Sequence, residues 1–364
     1  MEALKFINTH PDWEERLSKP PYCITTKHHG DYVLLKYIQF ASDFSMPIVR
    51  ESRGAIFFKN SDGVYDCVNR SFDKFGNYGE SYATDIDWES AVVEEKVDGS
   101  LIRLWHHTNE WHVSTNGTID AYQAQVGHSG LTFGDLFDQA IGIHKHEFLN
   151  SLDKNTVYMF ELVSPKSTVT IYYPETKLYY LGQRDMTTMK ESKDVSKYMT
   201  VYGIKYPKVY ELKTLNDCLE YVKMMTKDEE GFVVRDRNFN RIKLKSPEYL
   251  ISFHMKNNGA ITTKRIIEMI KNEQIDDFLA YRPEYSEEVQ LVLDRIKDVC
   301  DKLTCEWEIV SIWADKERRI FAMAIKTLKY KDWCFAKYDN NVLTPIEYIM
   351  FQTTAQIQKL ICDK

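Results

Sequence analysis

The chain has 364 residues, a net charge of −7 and a hydrophobic fraction of 43%. That length allows two domains, or one large domain with a satellite, and the acidic balance excludes a generally basic nucleic-acid coat while leaving a local basic groove open. The seven cysteines form no C-x-x-C pair, and no stretch reaches the roughly 18 apolar residues of a membrane helix, so the expectation is free thiols in a reducing cytosol and no membrane partner.

In chain order, Glu51-Ser-Arg-Gly54 leads into a predicted strand, Gly54 to Phe58. Asn69 to Asn77 follows, a loop mixing cations with aromatic and small residues. Arg53 and Lys74 are candidate phosphate clamps, provided they converge on a common site. Next comes the apolar run Ala91-Val-Val93, ending in Glu94-Glu-Lys-Val-Asp-Gly-Ser-Leu-Ile102. Lys96 has two readings there. Asp98-Gly99 is a strong turn dipeptide, so the segment can be a plain hairpin. Alternatively Lys96 is a nucleophile, which requires a pocket that favours the neutral amine, supplied by partial burial and nearby cations or metal.

Trp111 to Thr115, Thr156 to Val163 and Lys177 to Leu181 are β-branched or aromatic and read as strands. Helices are expected over Asp135 to Phe148 and Leu215 to Met225. Glu161 stands inside the apolar run Val157-Tyr-Met-Phe-Glu-Leu-Val163 and needs a partner. An internal salt bridge and a ligand hydroxyl or metal-bound water are both open. Glu230 opens a hairpin, Glu230 to Arg235 and Arg241 to Lys245, and raises the same choice. Period-two alternation puts Arg241, Lys243 and Lys245 on one face, opposite Ile242 and Leu244. Three cations on one face fit either a solvated edge strand or an anion surface.

After Phe253 the periodicity turns helical. Val289, Val292, Ile296, Val299 and Leu303 recur at spacings of three and four. Thr344-Pro-Ile-Glu347 reads as a capping box with proline at the first helical position, opening a helix towards Ile361. The fold class is therefore α+β over residues 1–253, built on antiparallel sheets, followed by an all-helical domain over residues 254–364.

Taken in order, Arg53-Gly54, Lys74-Phe75 with Asn77, Lys96-Val-Asp-Gly-Ser100, Asn116-Gly117, Phe160-Glu161, Glu230-Gly231 and Lys243-Leu-Lys245 resemble the motif series of the covalent nucleotidyltransferases. Within that superfamily the chain looks most like the RNA ligase 1 family of T-even phages. Glu51-Ser-Arg-Gly54, Lys74-Phe-Gly-Asn77, and Lys243 to Ser246 with Tyr249 carry that likeness, which is clear over roughly residues 45–255. DNA ligases and capping guanylyltransferases of the superfamily usually append a β-barrel, which the helical pattern after Phe253 disfavours. A non-catalytic RNA-binding relative would be expected to lose Lys96 or a lysine of Lys243-Leu-Lys245.

The resemblance implies an ATP-dependent RNA ligase acting through a lysyl-AMP intermediate on Lys96. Lys243 and Lys245 would hold the α-phosphate, and Arg53 and Lys74 the β and γ phosphates. Glu161 would bind the ribose, and Tyr180 would stack on adenine. The nucleotide-binding set is Arg53, Lys74, Glu95, Asp98, Gly99, Glu161, Glu230, Lys243 and Lys245. Magnesium, or manganese, would sit at Glu230 and Asp98. The implied partner is single-stranded or structured RNA such as a tRNA, handled by a monomer in the cytoplasm, that of the host if the source is viral. Lys316, Arg318, Arg319, Lys326, Lys329, Lys331 and Lys337 are expected to contact that RNA, or to form a solvated helix face.

Overall fold

A computed structural model describes residues 1–127, 129–193, 198–250, 261–271, 274–340 and 343–362. The chain divides into two compact units, Met1–Asn258 and Gly259–Lys364. The expected boundary at 253/254 lies outside the described residues.

Three antiparallel sheets make up the first unit. The first is a meander of β1 (Ile24–His29), β2 (Tyr32–Tyr37), β3 (Arg53–Lys59) and β4 (Tyr65–Asn69). Helices α1 (Glu2–Thr9), α2 (Trp13–Ser18) and α3 (Pro47–Glu51) supply Ala3, Ile7, Trp13, Leu17, Ile48 and Val49 to a core shared with Val33, Leu35, Ala55 and Phe57 of the sheet. The second sheet uses β6 (Ser100–His107), β7 (Glu110–Thr115), β8 (Thr156–Val163), β9 (Lys177–Asp185) and β10 (Glu191–Ser192), in the order β10-β9-β8-β6-β7. The third has the order β11-β5-β12-β13, with β5 (Val92–Glu95), β11 (Val209–Tyr210), β12 (Gly231–Arg235) and β13 (Arg241–Lys245).

Strand alternation assigns each face of the second sheet. Ile102, Leu104, Phe160, Leu162, Leu178 and Tyr180 point into a large core with Leu136, Phe137 and Phe148. The intervening residues, Leu101, Met159 and Glu161, take the opposite face, where Leu101 and Met159 pack with Phe72. The expected helix Asp135 to Phe148 is two helices, α4 (Phe133–Ile141) and α5 (Lys145–Ser151). Gly142, at φ +64°, stops the first, and a 3-10 turn separates them. Thr132 caps α4 through a reciprocal box with Asp135.

All described elements of the second unit are helical. Val289, Val292, Ile296, Val299 and Leu303 are buried along the 25-residue helix Ser286–Val310. Thr344 and Glu347 form the expected capping box, but the helix they open ends at Phe351 and a separate one runs Thr354–Cys362. No described helix is long and apolar enough to cross a membrane. All seven cysteines are free thiols.

Candidate active site

Lys96 follows directly on β5 and its backbone N–H donates to the Gly231 carbonyl at 2.9 Å. The segment is not a hairpin. β5 belongs to the third sheet and β6 to the second, so Val97-Asp98-Gly99 carries the chain from one sheet to the other. Gly99 is needed for that crossing, because a Cβ there would stand 2.5 Å from the Leu162 carbonyl oxygen of β8. The close approach that requires glycine is to the protein's own backbone, not to a ligand.

Asp98 is the anchor of the crossing. One carboxylate oxygen accepts from the N–H groups of Thr170 and Ile171 at 2.8 and 2.6 Å, and the other accepts from the Tyr249 hydroxyl at 3.0 Å. Its own N–H donates to the Tyr173 hydroxyl. Burial, with Glu230 nearby, raises the Asp98 carboxyl, and the two backbone N–H groups oppose the rise. With both oxygens bonded to protein donors, Asp98 offers a metal little that is free. The arrangement suits a residue that fixes the loop bearing Lys96.

The charged centre lies between strands of the second and third sheets. Lys96 Nζ is 2.8 Å from Glu230 Oε1, and Lys245 Nζ is 2.9 Å from the same oxygen. Glu230 is 4% exposed, whereas the Lys96 side chain retains 22%. Burial works against ionisation of Glu230, but Lys245 and Lys96 outweigh it and hold the carboxyl below its usual range. Its other oxygen, Oε2, is buried without a hydrogen-bond partner. An unsatisfied buried carboxylate oxygen is costly, and it fits a metal ion or metal-bound water. Among the described residues no cluster of three or more His, Cys, Asp or Glu side chains stands ready as a metal cage. Gly231 sets the geometry of this pair: its φ is +139°, and a Cβ would meet the Leu244 carbonyl oxygen at 2.0 Å.

Glu161 faces the same centre from β8. Among the described residues it has no salt bridge, so the internal ion pair considered for it is not formed. Burial pushes its carboxyl up to about 7, against the pull of Lys96 and Arg53 and with help from Glu230 and Asp98. Arg53 is thereby placed in the same electrostatic neighbourhood. Lys74 is drawn instead to the first sheet: its ammonium donates to Gln39 Oε1 at 3.1 Å and lies over the rings of Tyr37 and Phe44. Glu95 turns towards β11, where it accepts from the Lys208 N–H at 3.2 Å.

The strand of cations is an edge strand, but not a solvated one. Arg241 pairs with Glu191 at 2.6 Å, Lys245 with Glu230, and both Arg241 and Lys245 are largely covered. The Gly76–Tyr78 segment closes the edge, with Lys243 N–H donating to Gly76 and the Lys243 carbonyl accepting from Tyr78.

Tyr180 requires a correction. It is fully buried in the core of the second sheet, against Phe160 and Tyr206, with its hydroxyl on Gln183, and cannot stack on a base. Its neighbour Tyr179 is the cross-strand partner of Glu161 and shares the site face. The period-two rule was sufficient to separate the two tyrosines, but only once the register with Glu161 was known. Arg103 was also missed. It lies within Leu101-Ile-Arg-Leu-Trp105, is fully buried, and donates to the carbonyls of Arg53, Gly54 and Thr115. The signal that singled out Glu161, a charge inside an apolar strand, applied equally to Arg103.

Over residues 51–249 the chain matches the family described as RNA ligase. It is 31% identical over 325 residues to the "Putative bifunctional polynucleotide kinase/RNA ligase" of Autographa californica nuclear polyhedrosis virus, covering 84% of this chain and 45% of that protein. The chain thus spans under half of that relative. Against the RNA ligase of Rhodothermus phage RM378 the identity is 24% over 388 residues, with 87% of each covered. Among solved structures, an archaeal ATP-dependent RNA ligase aligns over 79% of this chain and 78% of its own, at 13% identity and a TM-score of 0.45.

Proposed function

The chain belongs to the RNA ligase family, and from that premise we propose that it joins RNA 5′-phosphate and 3′-hydroxyl ends at the expense of ATP. The observation that carries this reading is the shared Glu230 oxygen between Lys96 and Lys245, with the unpaired Glu161 beside it. A lone lysine in a turn has no reason to be matched with a second lysine across one buried carboxylate. A nucleophile beside an α-phosphate clamp has.

In the first step Lys96 Nζ, having lost a proton to solvent, attacks the α-phosphorus of ATP. A P–N bond forms, the P–O bond to pyrophosphate breaks, and AMP stays on the lysine. Lys96 must leave its ion pair with Glu230 to do so, and Glu230, whose Oε2 is unpartnered, would be the residue that holds a divalent cation. When bound, such a cation supplies charge neutralisation for the phosphates. Lys245 and Lys243 stabilise the negative charge that develops on the α-phosphate, and Arg53 orients the leaving pyrophosphate. Glu161, ionised, accepts from a ribose hydroxyl. Asp98 and Tyr249 keep the Lys96 loop in place. AMP then passes to an RNA 5′-phosphate, and an RNA 3′-hydroxyl displaces it.

The helical unit contributes cations to RNA binding. Arg318 pairs with Asp339 and Lys316 with Asp315, and Lys337 lies over Trp307. Lys329 lies over the Tyr330 ring, and Arg319, Lys326 and Lys331, exposed and without an acidic or ring partner among the described residues, are the proposed contacts. The joining reaction is tested with a 5′-phosphorylated single-stranded RNA, ATP and magnesium: circular or dimeric RNA is expected. Joining with GTP but not ATP, or capping of a 5′-diphosphate end, would place the chain among the guanylyltransferases instead.

A further inference from the structure

Phe72 stands two residues before Lys74, on the segment that follows β4. It is 6% exposed. The Arg53 guanidinium carbon lies 4.7 Å from its ring centroid and that of Arg241 lies 4.8 Å away. Arg53 begins β3 of the first sheet and Arg241 begins β13 of the third, so one ring is shared by guanidinium groups from two sheets. Arg241 is neutralised by Glu191. Arg53 has no carboxylate partner among the described residues, and its Nη1 is buried without a hydrogen-bond partner. Behind it, Arg103 holds the carbonyls of Arg53 and Gly54 and fixes the backbone from which the side chain departs.

An aromatic face holds a cation differently from a carboxylate. A carboxylate would occupy two of the five guanidinium donors and cancel the charge. A ring attracts the cation through its quadrupole and leaves every N–H available. We propose that Phe72 is a positioning residue for the triphosphate: its ring orients Arg53 so that the unpartnered Nη1 meets a phosphate oxygen. The proposal rests on the nucleotidyl-transfer reading and goes beyond it in assigning the apolar residue that makes Arg53 competent.

The test is the Kd of α,β-methylene ATP, whose bridging carbon prevents AMP transfer, measured by calorimetry with magnesium. Phe72→Leu and Phe72→Met keep apolar volume without a π face, and each raises Kd about three- to tenfold. Phe72→Tyr restores it to within about twofold of the wild type. In an Arg53→Gln background, Phe72→Leu adds no further loss. Thermal unfolding midpoints, recorded alongside, identify any variant that fails to fold, and the Leu and Met variants stand in for each other. Wild-type Kd in both variants, equal losses with and without Arg53, or no rescue by tyrosine would each overturn the assignment of Phe72. A wild type that binds no analogue would instead overturn the nucleotidyl-transfer reading itself.

Discussion

Glu161 shows how much a single residue can be read from sequence and where that reading stops. Its place in an apolar strand announced that it needed a partner, and the structure places Lys96, Arg53 and Glu230 around it without a salt bridge. What alternation along one strand does not give is the register across strands, which sets Tyr179 opposite Glu161 and leaves the expected Tyr180 in the core. The same residue supplies a pH prediction. In the unfolded chain the carboxyl titrates at its ordinary 4.5, and in the fold at about 7. Between those values the folded state holds a proton that the unfolded state has lost, so stability falls as pH rises through that window. Glu161→Gln has no such fall. Relative to the wild type it gains about 1–2 kcal/mol between about pH 5 and about pH 8, read from denaturant unfolding. A stability difference that stays flat with pH would contradict the assignment.

At the scale of elements, hairpins and helices with local signals were legible. The β12–β13 hairpin, with Arg241, Lys243 and Lys245 on one face, follows from alternation alone. The Thr344 capping box follows from four consecutive residues. The pairing of β12 with β5, whose members lie more than a hundred residues apart in the chain, has no local signal, nor does the change of sheet at Val97-Asp98-Gly99. Yet these two features create the site: β12 brings Glu230 to Lys96, and the crossing exposes Lys96 between sheets. Gly231 is where the two depend on one residue, with φ +139° and the Leu244 carbonyl in the way of any side chain. Gly231→Ala is expected to cost about 2–4 kcal/mol of unfolding free energy. An alanine variant with wild-type stability would show that β12 can shift without strain, and that the Glu230 geometry is not fixed by this glycine.

At the scale of the molecule, net charge misleads. A chain of −7 still gathers Lys96, Lys245 and Arg53 around the Glu230 and Glu161 carboxylates. In the second unit the sequence offered seven basic residues without distinguishing them. Pairing does: Lys316 and Arg318 hold surface ion pairs, Lys329 and Lys337 lie over aromatic rings, and Arg319, Lys326 and Lys331 are exposed with no acidic or ring partner among the described residues. Changing those three to glutamine should weaken RNA binding and lower the slope of log affinity against log salt by up to about 2. An unchanged slope would remove the helical unit from RNA recognition. Lys96 is proposed to become covalently attached to AMP. The most direct measurement is label on the denatured chain after incubation with α-labelled ATP and magnesium. Label from ATP is expected in the wild type and none in Lys96→Ala; an unlabelled wild type, or a Lys96→Ala chain labelled as well as the wild type, would contradict covalent catalysis by Lys96.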